Sequence, residues 1–279
     1  MSRVPSEGSS TASSAVTEAF GKASADNRAA PVGYLPAGFP SVQGAIEAAT
    51  VMAETGVDVI EVGLPYSDPV MDGPVIAKAV HQALTTGTRV ADVLRTVEAI
   101  AAAGVPALVM TYWNPVDHYG VSAFARDLAA AGGSGLITPD LTLEEADSWL
   151  DASARYDLDR VFLVAPSSTD ERIARIAQVC RGFVYAASLM GITGTRDAVS
   201  GDASGLVKRV REHTQLPVAV GLGVSTGDQA AQVAGFADGV IVGSAFVRRL
   251  LEAPGAEGIA AVRTLTGELA EGVRRKPGS

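Results

Sequence analysis

Eight short runs rich in β-branched residues recur along the chain, each followed by an alanine-rich stretch with helical spacing. They are PVGYLPAG (31–38), VDVIEVGLP (57–65), PALVMTY (106–112), SGLITPD (134–140), RVFLVAP (160–166), GFVYAAS (182–188), PVAVGLG (217–223) and GVIVGSA (239–245). Such alternation implies parallel β-α-β units. Eight of them predict an α/β fold, a closed (β/α)8 TIM barrel in one domain. The stretch VQGAIEAATVMAETG shows the helical texture: Ala45, Ala49 and Met52 recur on one face, and Gly56 supplies the stop. An open doubly wound sheet would carry G-x-G-x-x-G after its first strand, where this chain has LPAGFP. The units differ in length and motif, unlike a solenoid's, and no linker divides them.

The ends read differently. Residues 1–14 are small and polar and lack the apolar core of a secretory signal, so they read as a disordered tail. A short helix is expected from Val16 to Ala25, with Val16 and Phe20 on one face. The barrel domain is expected over 15–274, with residues 275–279 as a second tail.

The 279 residues carry a net charge of -9, a field that repels phosphate backbones and anionic lipid surfaces. Neither nucleic acid nor membrane is an expected partner, and no apolar stretch reaches the roughly 20 residues of a membrane span. With the single Cys180 and only His81, His118 and His213, no metal-ligand cluster is visible. A reducing cytoplasm suits this composition.

One residue breaks the apolar logic of the strands. In VDVIEVGLP, Ile60, Val62 and Leu64 share one face and Val59, Glu61 and Gly63 the other. The first face suits the layer between sheet and helices, which turns Glu61 into the barrel near the carboxyl end, where barrel enzymes keep their chemistry. Desolvation there raises a carboxyl's pKa, so Glu61 is suited to give and take a proton near neutrality. The alternative is a structural Glu neutralised by an interior Arg, but no strand carries an Arg in phase in its carboxyl half. Asp72 follows in a stiff loop with prolines and a glycine; by itself it reads equally as a loop or capping Asp. Asp68, in SDP, reads as a turn residue.

Near the end of the chain, GLGVSTG and GVIVGSAF each finish a strand with glycine and open a helix. Free N–H groups at helix starts bind anions, and the last two loops of barrels commonly seat a phosphate. Gly223, Gly243 and Ser244 are the candidates, with Arg248 and Arg249 read as a solvated face. The stretch LMGITGTRDAVSGDASG (189–205) reads as a long lid loop with Thr193 and Gly194 at its start. Tyr185, Met110 and Tyr112 point inward, as core or as walls for a flat apolar substrate.

Taken together, VDVIEVGLPYSDPVMDGP, YLPAGFP, MTYWNP, VYAASLMGITG, GLGVS and VGSA, in this order, resemble the tryptophan synthase α subunits from about Val16 onward. The resemblance implies retro-aldol cleavage of indole-3-glycerol phosphate to indole and glyceraldehyde 3-phosphate, without a cofactor in this chain. It matches Glu61 to the acid/base glutamate, Asp72 to the second catalytic aspartate and Tyr185 to a pocket tyrosine supporting that aspartate. Thr193 falls on the lid threonine, and Gly194, Gly223, Gly243 and Ser244 on phosphate positions. Tyr34, Tyr112 and Leu222 fall where the family lines its indole pocket. In this chemistry Glu61 protonates indole C3, Asp72 stabilises the cation and takes the N–H proton as the C–C bond breaks, and Glu61 then collects the glycerol hydroxyl proton. The resemblance also implies a β subunit holding pyridoxal phosphate and an α2β2 assembly joined by a channel, with the loop of Pro65 and Asp68 facing the partner.

Two other readings compete. A Schiff-base aldolase or sugar-phosphate isomerase on the same barrel is one; the aldolase needs an inner-strand lysine, and Lys22, Lys78, Lys208 and Lys276 all fall in helices or tails. A silent barrel that only regulates a partner is the other, and the presence of both Glu61 and Asp72 speaks against it.

Overall fold

The β-branched runs are strands. The structure, a computed structural model, describes residues 13–188 and 196–275, with only the helical backbone over 196–201. The strands are β1 (Ala30–Pro36), β2 (Val59–Gly63), β3 (Ala107–Met110), β4 (Gly135–Thr138), β5 (Asp159–Val164), β6 (Val184–Ala187), β7 (Val218–Gly221) and β8 (Gly239–Val242). All pair in parallel in chain order, and β8 returns to β1 to close the barrel.

Helices fill the connections: α1 (Ala15–Ala25) ahead of β1, then α2 (Val42–Thr55), α3 (Pro74–Thr85), α4 (Val90–Ala102), α5 (Trp113–Tyr119), α6 (Val121–Ala130) and α7 (Asp147–Arg155). After these come α8 (Asp170–Val179), α9 (Arg196–Arg211), α10 (Gly227–Ala234), α11 (Ser244–Glu252) and α12 (Ala256–Gly272). Their ends follow local chemistry. Ser41 caps α2 by accepting the Gly44 N–H at 3.0 Å, and Gly56, at φ 123°, closes it in a conformation that disfavours other residues.

The expected phase of the strands holds. Ile60 and Val62 lie in the apolar layer beneath the helices. Val32, Val59, Leu108, Ile137, Val161, Ala219 and Ile241, from seven of the strands, form the barrel interior together with Phe183, which immediately precedes β6. Helix α1 adds Val16, Ala19, Phe20 and Ala23 to that cluster. The Phe20 ring packs 5.3 Å from that of Phe183, and a Cβ on Gly239, the first residue of β8, would lie 2.8 Å from it. The amino end of the barrel is therefore stoppered by α1, leaving the carboxyl end as the open one.

One expectation is corrected. The segment read as a lid loop over 189–205 is helical from Arg196 onward. Ala203, Leu206, Val207 and Val210 are buried at helical spacing, and this apolar face draws the small polar residues before it into α9. Thr193 and Gly194 lie outside the described residues.

Candidate active site

Glu61 is the middle residue of β2 and is turned into the barrel. It is 1% exposed, and among the described residues neither carboxyl oxygen has a hydrogen-bond partner. Burial alone raises its pKa to about 8, because an unsolvated carboxylate is costly. At neutral pH Glu61 therefore holds a proton that no group among the described residues receives.

Asp72 stands in a different environment. It is not spent on capping: the cap of α3 is Gly73, with no side-chain hydrogen bond. The Tyr112 hydroxyl donates to Asp72 Oδ1 at 3.2 Å and accepts the Met71 N–H at 2.9 Å. Burial raises the pKa of Asp72, and the Tyr112 hydrogen bond opposes it. The resemblance gave the supporting role to Tyr185. Among the described residues the hydroxyl that reaches Asp72 is that of Tyr112, because β3 neighbours β2 and the loop after β2 folds back over its end.

Tyr34 and Tyr185 wall the space near Glu61. Tyr34 pairs with Glu61 in the register of β1 and β2. Burial raises the pKa of both phenols; the negative charges of Asp72 and Glu61 add to it for Tyr34, and that of Glu61 for Tyr185. Glycines make room for both rings. A Cβ on Gly63 would lie 2.3 Å from the Tyr34 hydroxyl oxygen, and one on Gly221 would lie 2.7 Å from that of Tyr185. Leu222, just past β7, is buried in the cluster that holds Tyr34.

The glycine turns after β7 and β8 are adjacent but unequal. Gly243 is the N-cap of α11 and brings no side-chain cap, so a ligand can meet the first amides of that helix, with the Ser244 hydroxyl beside them. Gly223 has φ 70°, a left-handed turn natural to glycine, but it does not open a helix directly. Three residues intervene before α10. Thr226 caps that helix by accepting the Gln229 N–H, and the Ser225 N–H donates to Gln229 Oε1 at 2.7 Å. Of the two turns, only the start of α11 leaves its first amides without a side-chain cap. Arg248 is exposed and Arg249 half-buried.

The comparisons with known proteins fall on this geometry. A family model described as tryptophan synthase alpha chain matches residues 20–274. The chain belongs to the tryptophan synthase alpha chain family. The alpha chain of Acidothermus cellulolyticus is 60% identical over 263 residues, covering 94% of this chain and 98% of the relative. That of Salinispora tropica is 62% identical over 257 residues, covering 92% and 96%. Tryptophan synthase from M. tuberculosis, solved in an open form, superposes with a TM-score of 0.87 at 56% identity, over 94% of this chain and 99% of that one. The alpha subunit from Legionella pneumophila reaches 0.86 at 30% identity, over 94% and 99%. As a tryptophan synthase alpha chain, the protein is a carbon–carbon lyase of tryptophan biosynthesis that cleaves indole-3-glycerol phosphate. The aldolase, isomerase and silent-barrel readings give way to this one.

Sequence reasoning missed Asp159, the first residue of β5. It is fully buried at the stoppered end, 3.1 Å from Arg181 Nε. Burial outweighs the favourable Ser14 and Arg181 and lifts its pKa to about 6. Asp159 alternates in phase with Val161 and Leu163, a signal present in the sequence. At the amino end it lies remote from the alpha-chain chemistry. Among the described residues no group of three His, Cys, Asp or Glu is placed to hold a metal, and no helix is long and apolar enough to cross a membrane.

Proposed function

We propose that Glu61 and Asp72 carry the lyase reaction, Glu61 as a neutral acid that then serves as base, Asp72 as an ionised carboxylate that stabilises the ring cation. Glu61 gives its proton to indole C3, forming an iminium cation whose N–H is held by the Asp72 carboxylate. The bond from C3 to the glycerol carbon then breaks. Its electron pair restores the indole ring, the glycerol hydroxyl becomes an aldehyde, and its proton passes to Glu61. The N–H proton ends on the ring, so indole and glyceraldehyde 3-phosphate leave with Glu61 again protonated. The raised pKa of the unpartnered Glu61 carries this reading.

Gly194, Gly223, Gly243 and Ser244 bind the phosphate in this reading, and Thr193 is the lid threonine beside the substrate. Tyr34, Tyr112, Tyr185 and Leu222 wall the indole. A phosphate held at a distance orients the reacting bond and lowers the barrier.

The partner in this proposal is a β subunit that holds pyridoxal phosphate and consumes indole, in a cytoplasmic α2β2 assembly; no cofactor is assigned to this chain. The exposed apolar side chains support a partner face. Val70 is 84% exposed, Met71 51% and Tyr119 39%. Tyr119 also lines a hollow of about 540 Å³ with Leu64, Pro65, Arg89 and His118. These residues follow β2 and β3, beside the open end of the barrel. Indole release by the wild-type chain, by Glu61→Gln and by Asp72→Asn tests the catalytic assignment. Loss of turnover in both variants is expected, and retained turnover in Glu61→Gln would overturn it.

A further inference from the structure

Tyr34 lies across the barrel mouth between two glycines. The base of its side chain sits against Gly243: a Cβ there would lie 3.2 Å from Cδ1 and 3.4 Å from Cβ of Tyr34. Its tip sits against Gly63, where a Cβ would lie 2.3 Å from the hydroxyl oxygen and 2.7 Å from Cζ. Gly63 follows Glu61 by two residues and shares its face of β2, whereas Gly243 is the N-cap of α11. The phenol, only 7% exposed, thus spans from the anion seat to the strand of the proton donor. Neither glycine has a side chain to fill that space in its stead.

We infer that Tyr34 is a specificity-determining spacer whose ring, wedged between Gly63 and Gly243, sets the reach from Glu61 to the phosphate seat and so the length of substrate accepted. The inference rests on Glu61 being the acid and on Gly243 and Ser244 holding phosphate. A misfit of about 1 Å between a reacting atom and its catalyst is worth on the order of a hundredfold in rate. A wedge that fixes that distance therefore matters most to a substrate anchored at both ends.

The test compares indole-3-glycerol phosphate with dephosphorylated indole-3-glycerol, which has no remote anchor. In Tyr34→Leu, kcat/KM for the phosphorylated substrate is expected to fall about a hundredfold, and that for the other only severalfold. Tyr34→Phe, which keeps the ring, retains the preference for phosphate. Gly63→Ala pushes on the ring tip and lowers the preference in the wild-type background, but costs much less once Tyr34 is Leu. Equal losses on both substrates, or additive effects of Gly63→Ala and Tyr34→Leu, would overturn the inference; Gly63→Ala on the substrate pair decides alone should Tyr34→Leu not fold. If the wild type shows no preference for the phosphorylated substrate, or Glu61→Gln stays active, the site assignment fails first and the inference with it.

Discussion

The Tyr112 hydroxyl donates to Asp72 across 3.2 Å while Met71, the neighbour of Asp72, donates its N–H to the same oxygen at 2.9 Å. One phenol thus fixes both the position of the loop carboxylate and its readiness to ionise. Glu61, on the strand before this loop, has no such partner among the described residues. The two carboxyls are set apart by what surrounds them.

Removing that donor moves the acidic limb of the activity. In Tyr112→Phe, burial acts on Asp72 unopposed, so its pKa rises and the ionised form is lost at higher pH. The expected result is a kcat/KM profile whose acidic limb shifts upward, with a loss of roughly tenfold below it, the size of one hydrogen bond to a half-buried charge. A profile superimposable on the wild type would contradict the role given to Tyr112.

Glu61 makes the fold less stable as pH rises. In the unfolded chain a glutamate ionises near pH 4.3; in the barrel Glu61 does so at about 8. Between these values the folded state holds a proton that the unfolded state has released. Stability from this group is therefore full below about pH 4.3 and is lost by the time pH passes 8. Glu61→Gln does not titrate, so the stability of this variant relative to wild type should improve by about 4 kcal/mol between pH 5 and 8.5, while activity is abolished. Thermal or urea unfolding across that range reads it, and a constant gap would show that Glu61 is solvated.

At the stoppered end the same reasoning separates stability from function. Asp159 is raised to about 6 by burial despite Arg181 beside it, and Arg181 keeps Asp157 at 2.6 Å as a second partner. Asp159→Asn should stabilise the fold above pH 6 by about 1–3 kcal/mol and leave indole release unchanged. A destabilised variant would mean that the ion pair with Arg181 outweighs desolvation.

A negative charge at the anion seat should act on binding. Ser244→Asp places a carboxylate at the start of α11, where it satisfies the amides itself and repels phosphate. KM should rise at least about tenfold, and competitive inhibition by inorganic phosphate should disappear. Unchanged phosphate inhibition would place the seat elsewhere.

Much of this was legible in the chain because period and position do the work. Eight β-branched runs specify the barrel, and two-residue alternation in VDVIEVG is enough to turn Glu61 inward. The contact between Tyr112 and Asp72 was not legible, since it joins residues 40 apart through a loop whose path no periodicity encodes. The start of α9 was misjudged because Gly, Ser and Asp are loop residues by propensity, and tertiary burial of Ala203, Leu206 and Val207 overrides them. Asp159 is hard to read because a charged residue at the edge of the apolar run RVFLVAP looks like the end of a loop, whereas β5 begins on it. The seat at α11 was visible in its glycine and serine, while the capping of α10 by Thr226 showed only in the hydrogen bonds.

The central claim is that Glu61 keeps its proton at neutral pH, and infrared difference spectroscopy of wild type against Glu61→Gln measures this directly. A protonated-carboxyl band assigned to Glu61 at pH 7, vanishing as pH passes about 8, is the expected result. A Glu61 already ionised at pH 6 would contradict the account.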